Sequence, residues 1–131
     1  MKKIGTLNQP LSEVIAGLGH QDSLVVADAG LPISSGTRRI DLALTQGTPG
    51  FLETVRVILE EIEVERAIVA EEMLTDSKPL FEEVKSLLTG VPIETIPHEE
   101  LKQLTHSAKA VVRTGEFTPY ANVILVSGVV F

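Results

Sequence analysis

The sequence has no cysteine and no tryptophan, and only one tyrosine and four phenylalanines. Without thiols there can be no disulfide, thiolate nucleophile, iron–sulfur cluster or cysteine-based zinc site. Aromatics make up 4% of a chain that is 44% hydrophobic, so the core has to be assembled from Val, Ile, Leu and Ala. Positive charge is also scarce. Eleven Lys and Arg against eighteen Asp and Glu leave a net charge of −7, and the basic residues are scattered singly. Such a field repels phosphate backbones and argues against a nucleic-acid partner. No apolar run approaches the roughly 20 residues that cross a bilayer, and Lys2-Lys3 is followed by no leader-like segment. The expectation is a soluble cytoplasmic protein with no membrane partner. The motifs GxGxxG, GxxxxGK[ST], HExxH and GxSxG are missing too, which removes the usual support for dinucleotide, nucleoside-triphosphate and serine-hydrolase chemistry.

What is present is a regular alternation of helix and strand signals over 131 residues, a length that fits a single domain spanning 1–131. Asn8 can cap a helix with Pro10 in its first turn, and Leu11, Val14, Ile15 and Leu18 recur at helical spacing. Leu24–Ala27 and Ala67–Ala70 are continuous aliphatic runs of the kind found in strands buried on both faces. Ile40–Leu44 alternates like a half-buried strand, and Phe51–Ile62 and Pro79–Leu88 read as amphipathic helices. Glu60, Glu61 and Glu63 read as solvated charges at the end of the first of these. Val91–Ile96 is a further strand, Pro97–Thr105 a short helix, Ala110–Arg113 a strand, and Asn122–Phe131 a last apolar run. The alternation predicts a three-layer α/β/α domain with a mostly parallel central sheet. The apolar C-terminus suggests burial between subunits.

Four places hold residues able to do chemistry. His20 follows Leu18-Gly19 near a helix end, where it could serve as a proton donor or merely as a cap. Asp28 closes a buried strand, at the carboxyl edge where ligands of open α/β sheets gather, but it could equally tie down the turn through Gly30. His98 sits at a strand-to-helix connection, better placed for a cleft than His106, which reads as a surface residue. The connection from Arg113 to Asn122 packs a guanidinium, carboxylate, phenol, amide and hydroxyls together, the mixed donors and acceptors that polyols require.

Taken together, Leu18-Gly19-His20 with Asp22, Val26–Pro32, Ile40-Asp41-Leu42, His98-Glu99-Glu100 and Arg113–Asn122 resemble the ribose pyranase and fucose mutarotase family along the whole chain. The resemblance implies a cofactor-free isomerase that interconverts pyranose and furanose forms of D-ribose and so feeds ribokinase. It implies His20 as proton donor and sugar contacts from Asp28, His98, Tyr120, Ala121 and Asn122, with no metal. It also implies a homo-oligomer, a decamer of two pentameric rings with active sites between subunits. The chemistry adds the hypothesis that Asp28 and His98 are catalytic too, Asp28 orienting His20 or a hydroxyl and His98 as partner base, the two histidines exchanging roles on reversal. Alternatives are a mutarotase for fucose or another aldose, a non-catalytic sugar-binding protein, and a structural ring protein or transport accessory. Proton shuffling fits this residue set, because an imidazole near neutrality both gives and takes protons.

Overall fold

A computed structural model describes residues 1–131. The Asn8 side chain accepts from the Leu11 amide at 3.0 Å and so starts α1, Gln9–Gly17, with Pro10 tolerated in the first turn. The aliphatic runs become β1, Ser23–Ala27, and β3, Val64–Ala70. Between them lie β2, Arg39–Asp41, and α2, Phe51–Leu59. Then come α3, Glu71–Asp76, α4, Lys78–Leu87, β4, Ile93–Ile96, and α5, His98–Leu104, which runs on into a single 3₁₀ turn at Thr105–Ser107. The chain finishes with β5, Ala110–Arg113, and β6, Val123–Ser127.

The six strands form one sheet in the order β2-β5-β1-β6-β3-β4. Five strands run the same way, and β6 alone runs against its neighbours β1 and β3. Side chains still alternate within the continuous apolar strands. Leu24 and Val26 of β1 join a core beneath α1, α2 and α4, while Val25 and Ala27 face a smaller core closed by Leu101 of α5. β6 divides in the same way, with Val123 and Leu125 on one side and Ile124 and Val126 on the other. Helices on both faces complete the three layers expected from the alternation.

Several boundaries differ from the sequence expectation for local reasons. The Ile40–Leu44 strand stops at Asp41, because the Asp41 carboxylate turns back to accept from the Ala43 amide at 3.1 Å and also binds Arg113. A separate helix, α3, follows β3 directly, divided from α4 by Ser77 at φ −139° and ψ 47°. β6 ends at Ser127, leaving Val130 and Phe131 in the open. The acidic cluster after α2 is only partly a wet one. Glu60 and Glu63 are exposed, but Glu61 accepts from the Thr6 amide at 2.6 Å and Lys2 Nζ at 2.7 Å. Burial works to raise the Glu61 pKa, and those two donors with the Lys2 charge outweigh it and hold the carboxyl below its usual range.

Candidate functional site

The antiparallel insertion of β6 builds the site. The approach to β6 lies at the carboxyl ends of its antiparallel neighbours β1 and β3, with Val26 of β1 opposite Val123. Asn122 therefore arrives beside Asp28, the residue that follows β1. It is fully buried and grips Asp28 twice: its Oδ1 accepts from the Asp28 amide and its Nδ2 donates to Asp28 Oδ2, both at 2.9 Å. Asp28 Oδ1 accepts from the Gly30 amide at 2.9 Å. The carboxylate closes its own turn, as one reading of Asp28 expected, and it also stays half-exposed toward a cavity.

That cavity has a volume of about 400 Å³ and is lined by Asp28, Ala29, Gly30, Arg113, Glu116, Phe117, Thr118 and Pro119. Its size falls in the range of roughly 300 to 1,000 Å³ typical of small-molecule sites. Arg113 is anchored rather than free, with Nε donating to the Ala29 carbonyl at 3.0 Å and Nη1 to both Asp41 oxygens at 3.1 and 3.2 Å. Glu116 is held in place by the Phe51 amide at 3.1 Å, the Thr118 hydroxyl at 3.0 Å and the Thr118 amide at 3.4 Å. Burial would raise its pKa, and these hydrogen bonds outweigh burial, so the carboxyl lies below its usual range and ties the loop to the start of α2. A larger groove of about 550 Å³ lies between α2 and α4, but it contains none of the three histidines and no buried polar atom lacking a partner.

Next along the same sheet edge, His98 and Tyr120 meet edge to face, with ring centroids 5.1 Å apart and an interplanar angle of 80°. Tyr120 holds φ at 61°, an uncommon left-handed conformation for a residue with a side chain. The His98 amide donates to both oxygens of Glu72 at 3.1 and 3.0 Å, and its Nδ1 is buried without a hydrogen-bond partner. Ala121 is fully buried and belongs to the main core. Asp28, Asn122, Tyr120 and His98 thus form one strip along the carboxyl ends of β1, β3 and β4.

His20 lies elsewhere. It does not cap α1, whose C-cap is Leu18, but sits just before the start of β1 and pairs through Nε2 with Glu65 Oε2 at 2.8 Å. The neighbouring Gln21 amide donates to the Ser127 carbonyl, at the far end of β6. Five residues of strand, about 16 Å at 3.3 Å per residue, separate this end of β1 from Asp28. A second cavity, of about 430 Å³, holds His20 together with Glu61, Ser127 and the apolar tail through Phe131. Within one chain, then, Asp28, Asn122, Tyr120 and His98 share the carboxyl edge of the sheet and His20 does not join them. His106 is exposed, as its flanking residues suggested. Sequence reasoning missed Glu72 altogether, because α3 was not expected. No group of three or more His, Cys, Asp or Glu side chains has an arrangement suited to a metal ion.

A model of the RbsD / FucU transport protein family matches residues 1–130. The D-ribose pyranase of Chloroflexus aggregans is 57% identical over 131 residues, covering 100% of both proteins. That of Coprothermobacter proteolyticus is 55% identical over the same full span. Among solved structures, Bacillus subtilis RbsD complexed with D-ribose superposes with a TM-score of 0.97 at 49% identity over 100% of each chain. The fucose mutarotase of Streptococcus pneumoniae in complex with L-fucose gives a TM-score of 0.85 at 24% identity, again over 100% of each chain, a likeness of fold alone.

Proposed function

The chain belongs to the RbsD / FucU transport protein family, and from that premise we propose that it is a D-ribose pyranase, a sugar isomerase that interconverts the pyranose and furanose forms of D-ribose. The observation that carries this reading is full-length identity of 53 to 57% to several D-ribose pyranases. The fucose relatives are distant, which favours ribose over fucose.

The reaction moves protons and no net electrons. The C1–O5 bond of the pyranose breaks as the ring oxygen gains a proton and the anomeric hydroxyl loses one, giving the open aldehyde. After rotation, O4 attacks C1, O4 sheds its proton and the carbonyl oxygen gains one. Positioned general acids and bases typically contribute roughly 100- to 10,000-fold, which suffices for an opening that already occurs in water. Asp28, with one oxygen held by Asn122 and the other by the Gly30 amide, is suited to accepting a hydrogen bond from a sugar hydroxyl and orienting the ring. His98 and Tyr120 line the adjoining strip, His98 as the partner base and Tyr120, with Ala121 and Asn122, as sugar contacts. His20 supplies the proton to the ring oxygen, its Nε2 engaged by Glu65 and Nδ1 left for the ligand.

Because His20 and Asp28 lie at opposite ends of β1, their cooperation requires a second copy of the chain, whose His20 end docks against the Asp28 strip. The exposed Val130 and Phe131 beside the His20 cavity are apolar surface for such an interface. We assign the protein to the cytoplasm, as a homo-oligomer of the two-ring decameric type, where it supplies ribofuranose to a ribokinase.

Saturation-transfer NMR of D-ribose measures the exchange directly. His20→Ala and Asp28→Asn should each abolish most of the acceleration. Co-expressed, the two variants should regain roughly a quarter of the wild-type rate, the share of shared sites that inherit both intact halves when subunits mix at random. No recovery on mixing would refute the intersubunit site, and full activity in His20→Ala would refute the proton donor.

A further inference from the structure

The short helix α3 carries no group expected to touch a sugar, yet its two ends hold the two elements that present His98 and Tyr120. At its start, the Glu72 carboxylate accepts the His98 amide with both oxygens, at 3.1 and 3.0 Å. This satisfies the first unpaired donor of α5 and fixes where that helix begins. At its exit, Ser77 is buried and donates through its hydroxyl to the Pro119 carbonyl at 2.7 Å. Pro119 immediately precedes Tyr120, whose left-handed backbone has to be held in place by its surroundings. The Ser77 amide in turn donates to the Met73 carbonyl at 3.1 Å, and Met73 is fully buried in the main core, so the helix itself has a firm seat. No hydrogen bond holds the His98 Nδ1, so the ring orientation rests on backbone placement and on the Tyr120 contact at 5.1 Å.

We propose that α3 is a brace for the His98–Tyr120 pair, with Glu72 and Ser77 as positioning residues that set the height and angle of the two rings at the edge of the site. The kinetic consequence rests on the isomerase reading above; the geometric one does not. Neither residue lines the cavity beside Asp28. Each acts through one backbone group, Glu72 on the histidine and Ser77 on the tyrosine, so the two should divide between turnover and binding.

The test uses the full assembled protein, with exchange kinetics by saturation-transfer NMR, thermal unfolding, and the chemical shift of the His98 Cε1 proton, which lies in the ring current of Tyr120. Glu72→Ala should lower kcat roughly 10- to 100-fold with KM within about 3-fold, since a displacement near 1 Å costs rates of that order. Glu72→Gln, which keeps a carbonyl acceptor for the His98 amide, should recover kcat to within about 3-fold of wild type. Ser77→Ala should fall mainly on KM. The His98 Cε1 proton should move in Glu72→Ala and Ser77→Ala and stay near its wild-type position in Glu72→Gln. Wild-type kcat, KM and His98 shift in both Glu72→Ala and Ser77→Ala would overturn the brace. If Glu72→Ala does not fold, Glu72→Asp decides, because it keeps the charge and withdraws the acceptor by one methylene: an unchanged kcat and shift there overturns the proposal. A wild-type protein without exchange activity would sink the isomerase reading alone, and the His98 shift would still judge the brace.

Discussion

Replacing Asn122 by alanine removes two interactions made from a side chain that water does not reach. Asn122 is fully buried, and each of its hydrogen bonds to Asp28 measures 2.9 Å. Losing the donor to a carboxylate costs about 1.5 to 3 kcal/mol, and leaving the Asp28 amide unpaired costs about 1 to 3 kcal/mol where water does not reach it. Because Asp28 is half-exposed and water can repair part of its loss, a total near 3 kcal/mol is expected, a large share of the roughly 5 to 15 kcal/mol that holds a domain folded. Unfolding entropies near 2.1 cal/mol/K per residue convert this into a fall in Tm of about 10 °C. The measurement is thermal unfolding by circular dichroism at one fixed protein concentration, because association shifts Tm by mass action. Asn122→Asp sharpens the reasoning. It is nearly isosteric and keeps the acceptor for the Asp28 amide, but sets two carboxylates 2.9 Å apart, a repulsion of order 6 kcal/mol at an effective dielectric near 20. The folded variant then binds a proton more tightly than the unfolded chain, so its stability is restored as pH falls from 7 to about 5. A Tm for Asn122→Ala within about 3 °C of wild type, or an Asn122→Asp variant indifferent to pH, would refute the claim that this pair is a dry, structural contact.

Three further outcomes follow from the same geometry. Gly115→Ala should cost about 2 to 3 kcal/mol in a urea titration, because a Cβ there would run into the backbone of Thr45 and Thr48, which have no flexible end to move aside; a loss under about 0.5 kcal/mol would show that this loop yields. Glu116 has a folded pKa below its unfolded value, so its stabilising effect is complete above the unfolded value of roughly 4.3 and is lost as pH falls through the folded one. Glu116→Gln should therefore be less stable than wild type at pH 7 and decline less steeply between about pH 5 and 3, as read from urea midpoints; equal slopes would contradict the assignment. Sedimentation velocity should find a particle many times heavier than the 14.1 kDa chain, and a stable, active monomer would contradict the shared site.

Most of the fold was legible because its signals are local. A cap and a proline mark α1, continuous aliphatic runs mark β1 and β3, and apolar residues three and four apart mark α2 and α4. α3 was invisible because six residues cannot display a helical period, and its existence depends on Met73 finding the core. The inward turn of Glu61 was hidden for a similar reason, since its partners Lys2 and Thr6 lie 59 and 55 residues away.

The sequence by itself determined which side chains are available for chemistry, that those chemistries exclude thiols, and that helices and strands alternate. It also wrote the turn at Asp28–Gly30, because an aspartate can close that turn with its own carboxylate. Only the tertiary structure decided that β6 enters the sheet against its neighbours. That reversal carries Asn122 across 94 residues of sequence to Asp28 and sends the other end of β6 toward His20. Hydrophobic periodicity specifies which face of a strand is buried, but it is the same for either direction of the chain. The direction of β6 follows from the loops and edges that compete to pair with it, and with it the arrangement of the site.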